Sequence, residues 1–214
     1  ADGRKELVGF SPGYRESKQS WRELLLDIQA RGLSNPPHLA IGDGGMGLWG
    51  ALNEVFPTTR QQRCWVHKTS NVLNKMARSL RSKAREDIHN IWMAENKQDA
   101  QKAMDLFCRK YGAKYPKATH CLQKDQPELL AFYDYPAEHW VHIRTTNPIE
   151  SSFATVKHRT RKSRNCLSMQ TAQLMVFTLL QAAQKKWLRL RGSQQITKII
   201  KIFMRIMNIN CNFR

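Results

Sequence analysis

The sequence contains no run of about 18 or more uncharged apolar residues, so it has no candidate membrane-spanning helix. Its first residues, Ala1-Asp2-Gly3-Arg4-Lys5-Glu6, have no apolar stretch after the charges, which excludes a secretory signal peptide at that point. They also lack an initiator Met, and the expectation is that the chain starts inside a longer product. Cysteine is sparse, odd in number and scattered (Cys64, Cys108, Cys121, Cys166, Cys211), which fits a reducing cytosol better than a disulfide framework. No internal repeat is visible. The glycine-rich stretch Gly42-Asp43-Gly44-Gly45 is not followed by Gly-Lys-Ser/Thr, so it is not a P-loop. Acidic residues are the scarcest class for the chain's charge: 17 Asp+Glu face 35 Lys+Arg, leaving +18.

That excess sets the first functional expectation. A field of this sign attracts polyanions, and nucleic acid is the commonest of them because Lys and Arg release its condensed counterions. A basic surface serving solubility or acidic proteins is the blander reading. Hydrophobic residues make up 41 % of the 214 positions, enough for a real core and for one large domain or one domain with an insertion.

Residues 4–10 alternate loosely after the turn dipeptide Asp2-Gly3 and read as the second arm of a β-hairpin. From Ser17 to Arg31, Trp21, Leu24, Leu25 and Ile28 fall at helical spacing, with Ser17 or Ser20 as cap and Gly32 as stop. A short strand is expected over residues 38–41, a helix over 48–56 and a second strand over 61–66. That order indicates α/β architecture with a parallel strand pair. From Lys68 to about Tyr135 only helices are expected, over 69–78, 82–94, 97–111 and 126–133. A further helix opens at Asn147-Pro148, and another covers 172–190. The last stretch, rich in Ile, Lys and Asn, can form a basic amphipathic helix that packs on its own domain or lies on a membrane surface.

Asp43 sits where the first strand of that pair ends, among glycines that let an anion approach the backbone. A carboxylate there can hold a divalent metal against a phosphate, or can close an Asx-turn ahead of the next helix. Glu150 is equally double in meaning. With Asn147 as N-cap and Pro148 in the first turn it completes a capping box, yet a first-turn carboxylate can also coordinate Mg2+. Its surroundings are strongly cationic: Arg144 before it, then Lys157, Arg159, Arg161, Lys162 and Arg164. Lys157 and Arg161 share a helix face. Basic groups beside a metal carboxylate suit a phosphodiester-processing enzyme. Cys64 and His67 have the Cys-x-x-His spacing of half a zinc site, with His120 and Cys121 nearest to complete it; a buried thiol and a hydrogen-bonded His is the alternative.

The runs Ile41-Gly42-Asp43-Gly44, Arg63-Cys64-Trp65-Val66-His67-Lys68 and Thr145-Thr146-Asn147-Pro148-Ile149-Glu150-Ser151, with Trp92-Met93-Ala94-Glu95 between them, resemble the bacterial Mutator-type insertion-sequence transposases. The likeness covers residues 2 to about 193. It implies a mostly helical α/β protein whose ribonuclease-H-like core lacks its first strands and carries a large all-helical insertion. The implied organisation is truncated core over 1–67, insertion over 68–140, catalytic helices over 141–193 and an atypical basic tail over 194–214, for which a frameshift or read-through would account. It implies an Asp-Asp-Glu site binding Mg2+, with Mn2+ able to substitute, in which Asp43 matches the second Asp and Glu150 the Glu. The first Asp of that pattern has no counterpart here, Asp2 lying in a different turn. Cys64 and His67 match the supporting Cys-x-x-His signature. The implied reaction is hydrolysis at transposon ends followed by attack of the freed 3′-hydroxyl on target DNA. The implied partners are transposon-end and target DNA and, in the full-length protein, further copies of itself. No membrane is implied, and the location is the bacterial cytoplasm at the nucleoid. The alternative function is a non-catalytic, basic DNA-binding remnant.

Overall fold

The structure, a computed structural model, describes residues 2–11, 17–162 and 168–199. It is mostly helical, with a single two-stranded parallel sheet among the described residues. The chain divides into two compact units, one of Ala1–His38, Met46–Thr59 and Asn147–Arg214, the other of Leu39–Gly45 and Arg60–Thr146.

In the first unit, helix α1 (Lys18–Ala30) starts where Ser17 and Ser20 cap one another: each side-chain oxygen accepts the other's backbone N–H at 3.1 Å. Its end is set by Gly32, whose φ of +116° suits a residue without Cβ, and by Pro36-Pro37 beyond. Helix α2 (Met46–Val55) packs on α1. The approach is close because Gly47 has no side chain; a Cβ there would stand 2.9 Å from the Ser17 carbonyl carbon. Lys18 and Arg22 both reach Glu54, an exposed arrangement that contributes little to stability. Ala51 and Leu52 supply the buried side of α2, and Phe56 is buried just past its end.

Helices α9 (Asn147–Lys162) and α10 (Met169–Gln184) complete this unit. The Ser168 hydroxyl caps α10 by accepting the Thr171 N–H at 3.1 Å. Trp187 donates to the Ser152 hydroxyl at 2.9 Å, tying the segment after α10 to the buried face of α9. Residues 4–10 form no strand, contrary to the sequence expectation. No described strand runs beside them. The Leu7 N–H bonds the Gln184 side chain at 2.7 Å, Phe10 stacks on Phe177, and just before the segment the Gly3 carbonyl accepts the Leu190 N–H at 2.8 Å. Helix α10 stops six residues short of the expected 190, where the Lys186 and Trp187 N–H groups turn to the carbonyls three residues back, Ala183 at 2.9 Å and Gln184 at 3.1 Å. Most of the 194–214 tail lies outside the described residues.

In the second unit, β1 (Leu39–Gly42) pairs in parallel with β2 (Arg60–Arg63), Leu39 opposite Arg60 and Gly42 opposite Arg63. A parallel pair needs a crossover, and the chain between the two strands contains α2. The expected strand over 61–66 ends at Arg63. Cys64 still donates its N–H to the Gly42 carbonyl at 2.7 Å, but the next N–H, from Trp65, goes to the Arg144 carbonyl at 3.0 Å and the chain turns into helix α3 (Trp65–Leu73).

Helices α4 (Arg81–Trp92), α5 (Lys97–Tyr111), α6 (Pro116–Gln123), α7 (Gln126–Leu129) and α8 (Ala137–Ile143) follow. They close on one core in which Trp65, Ile88, Ile91, Met104, Phe107, Leu122 and Phe132 are buried. Asn96 caps α5 by accepting the Asp99 N–H at 2.9 Å. Gln62 is fully buried and fully used: its amide donates to the Leu129 carbonyl at 3.3 Å and its oxygen accepts the Phe132 N–H at 2.7 Å. Trp65 adds a bond from its indole N–H to the same Leu129 carbonyl at 2.8 Å. The sheet edge and the helical region are thus one packed body.

Tyr133 and Tyr135 pack at this core, Tyr133 edge-on to Trp140. Burial pushes both phenols from 10 up to about 12. Each folded-state value lies above the unfolded one, so the stability they contribute is fully present below pH 10 and is lost as pH rises from 10 towards about 12. Chemical denaturation followed across that range should show the loss. Tyr133→Phe and Tyr135→Phe should each flatten the slope, and an unchanged slope in the double variant would contradict the assignment.

Candidate active site

Asp43 follows directly on β1, at the carboxyl end of the parallel pair. Its Oδ1 accepts the Gly45 N–H at 2.8 Å, so the Asx-turn reading is realised. The turn leaves the residue exposed rather than folded into the core. Gly44 sits at φ +94°, and a Cβ there would lie 2.2 Å from the Arg63 guanidinium carbon. Only glycine satisfies both the backbone and the close approach. The Asp43 turn therefore rests on the guanidinium plane of the last β2 residue.

That guanidinium is itself held from below. Arg63 Nη1 pairs with Asp125 Oδ2 at 2.6 Å, and the same oxygen receives the Lys68 ammonium. Lys68 is fully buried, and Arg63 and Asp125 are largely so. Burial pulls the Lys68 ammonium below its ordinary range, while the Asp125 carboxylate works against that shift. No sequence motif signals this network. A lysine within an amphipathic helix reads as solvated, and Asp125 stands alone between Lys124 and Gln126. The one hint is that Lys68 closes the Arg63–Lys68 run.

Cys64 is the N-cap residue of α3 and is buried; His67 lies in the helix's first turn, half-buried. The Cys64 sulfur accepts both the N–H and the hydroxyl of Thr146 at 3.3 Å, and the Thr146 hydroxyl lies 3.5 Å from His67 Nδ1. The pair therefore fastens the end of the segment that leads into α9. Among the described residues, His120 and Cys121 join no ligand cluster with Cys64 and His67, so they do not complete the zinc site weighed from spacing. Thr146 is not foreseeable as a partner of the thiol, since nothing local in a sequence tells which backbone group a buried sulfur meets.

Arg144 is the C-cap of α8. Its guanidinium lies 4.5 Å from the centre of the Trp92 ring and donates to the Trp92 carbonyl at 3.2 Å. Burial lowers its pKa, with Tyr133 opposing. Glu150 stands in the first turn of α9 and is exposed. The helix is assigned from Asn147, the residue the sequence reading takes as its cap, so its start agrees within a residue. Lys157, Arg159 and Arg161 are exposed along α9. Lys162 is described in its backbone only, and Arg164 lies outside the described residues. Asp43, Cys64, His67 and Arg144 thus belong to the second unit, Glu150 and the α9 cations to the first.

The described parts make a mostly helical protein with an exposed carboxylate at the carboxyl edge of a parallel strand pair, in a strongly basic chain. Residues 1–190 match the family profile described as Transposase, Mutator family. The transposase for insertion sequence element IST2 of Acidithiobacillus ferrooxidans is 56 % identical over 199 residues, covering 93 % of this chain and 67 % of its own length. The transposase for IS6120 of Mycolicibacterium smegmatis is 50 % identical over 187 residues, covering 87 % and 58 %. That for IS905 of Lactococcus lactis is 32 % identical over 161 residues, covering 75 % and 41 %. The chain belongs to the Mutator family of transposases, and it spans 58–67 % of the length of the first two of these relatives. No helix among the described residues is long and apolar enough to cross a membrane.

Proposed function

We propose that this chain is the greater part of the catalytic region of a DNA transposase that hydrolyses phosphodiesters at transposon ends and joins the freed 3′-hydroxyl to target DNA. In this reading β1, α2 and β2 belong to a ribonuclease-H-like core, and residues 68–140 are a helical insertion in it. Asp43 and Glu150 are two carboxylates of a three-carboxylate site whose remaining Asp precedes the residues present here. The observation that carries the reading is Asp43: an exposed carboxylate held by its own turn at the carboxyl end of a parallel strand, where α/β sheets place their ligands.

The donor set suits Mg2+, since both groups are hard carboxylate oxygens and both are exposed. When bound, the metal supplies Lewis-acid stabilisation of the attacking and leaving oxygens. The chain's own residues do the rest. The Asx-turn fixes one Asp43 oxygen on Gly45 and so orients the other. The first turn of α9 fixes Glu150. Lys157, Arg159 and Arg161, exposed on the same helix, hold the phosphate backbone without reading its sequence. Cys64 and His67, through Thr146, position the chain entering that helix.

The test joins the amino-terminal segment of the IST2 relative ahead of residue 1 and assays Mg2+-dependent nicking of a transposon-end duplex. The joined protein should nick at the element's end, and the 214-residue chain alone should bind but not nick. Nicking by the short chain alone, or none by a folded joined protein that binds the duplex, would overturn the three-carboxylate reading.

A further inference from the structure

Between α3 and α6 the second unit has a cavity of about 530 Å3 whose lining is cationic and amide-bearing, without a carboxylate. Arg63, Asn74, Lys75, Lys117, His120 and Lys124 line it. The pattern comes from two helical faces. Lys117, His120 and Lys124 follow one another at i, i+3 and i+7 along α6 and its C-cap, and Asn74-Lys75 closes the end of α3. The helices are held together beneath by Val72, Cys121 and Leu122 in the core, so the cleft is a fixed feature of the packing.

Arg63 is spent on Asp125, but the lysine charges in the cleft are not. Lys68, Lys97, Lys102 and Lys110 in the same unit each pair with a carboxylate, whereas Lys75, Lys117 and Lys124 make no ion pair among the described residues. All three are exposed. Three unneutralised ammonium groups facing one concavity repel each other and concentrate anions there. Asparagine amides at the rim add neutral donors of the kind that contact phosphate oxygens.

We propose that the α3–α6 cleft is a seat for the sugar-phosphate backbone of duplex DNA, separate from the α9 cations. It rests on the proposed function, that the chain handles transposon DNA. It fixes the position of the duplex rather than its sequence, since ammonium groups on phosphate carry no base information.

The test compares the full 214-residue chain with two triple variants of equal charge. One is Lys75→Gln, Lys117→Gln, Lys124→Gln; the other is Lys83→Gln, Arg109→Gln, Lys114→Gln, exposed cations of the same unit outside the cleft and in no ion pair among the described residues. Binding of a fluorescent duplex is titrated against salt, with thermal melting of each protein alongside. The cleft variant should lose about 0.9 of salt slope per contact removed, about 2 to 3 in all, and about 50- to 500-fold in affinity at about 0.1 M salt. The control should lose far less. Equal losses in both variants would mean a diffuse field and overturn the proposal, as would a cleft variant that melts lower yet binds like wild type. A wild-type complex displaced by inorganic phosphate at constant ionic strength, with the cleft variant insensitive, would assign the cleft to a small anion instead. A folded wild-type chain that binds no duplex would overturn the proposed function together with the cleft.

Discussion

Replacing Asp125 by Ala should cost the second unit about 3–5 kcal/mol, the range measured when one partner of a buried ion pair is removed. This one carboxylate pairs with both Arg63 and the fully buried Lys68. Without it two cations remain in a low-dielectric interior, and the one that cannot reach water is Lys68. With a urea slope of about 1–3 kcal/mol per molar, the denaturation midpoint should move by more than about 1 M. Lys68→Met in the same background should recover part of the loss, because it removes the stranded charge and keeps the volume. A shift no larger than that of an exposed pair, such as Lys102→Ala beside Asp99, would show that the network carries no structural weight. The consequence is local as well. Arg63 supports the backbone of Gly44, so Asp125→Ala should also loosen the turn that presents Asp43.

Asp43→Asn and Glu150→Gln should separate binding from chemistry in the joined transposase. The asparagine side chain still offers an oxygen to the Gly45 N–H, and the glutamine keeps the size of the side chain in the first turn of α9. Duplex affinity should therefore stay within about two-fold, because the cations proposed to bind phosphate are untouched. End nicking should fall by about 10²- to 10³-fold in each variant, the scale on which preorganised electrostatic groups contribute to barriers, if each is the metal ligand proposed. A variant with full nicking would remove that residue from the site. Two variants that lose binding in proportion to nicking would turn the carboxylates into structural groups.

The parts of the fold that local sequence governs are readable. The helix over 97–111 is legible with its bounds because Asn96 is a cap and its apolar residues keep helical spacing. The parallel pair is legible because a short apolar run ending in Gly-Asp-Gly-Gly leaves little but a strand end and a turn. What sequence reading misses depends on partners distant in the chain. Residues 4–10 alternate like a strand, but alternation specifies a strand only where a neighbour can pair with it; here the Gln184 side chain takes the Leu7 N–H. The frame of Cys64-x-x-His67 reads as a strand because Trp65 and Val66 are good strand residues, while the Arg144 carbonyl draws the Trp65 N–H and starts a helix. Helices α6 and α8 are short, and too few residues share a face for periodicity to reveal them. Of the proposed site, Asp43 and Glu150 stand out through their glycine and proline neighbours. Asp125, Lys68 and Thr146 have no such neighbours, and only packing identifies them.

The most direct measurement is the anomalous diffraction of Mn2+ in crystals of the joined transposase bound to its end duplex. Manganese should be ligated by carboxylate oxygens of both Asp43 and Glu150, the two side chains within about 8 Å of each other, as two metals about 3.5–4 Å apart require. Manganese bound elsewhere, or the two carboxylates facing away from one another, would contradict the three-carboxylate site.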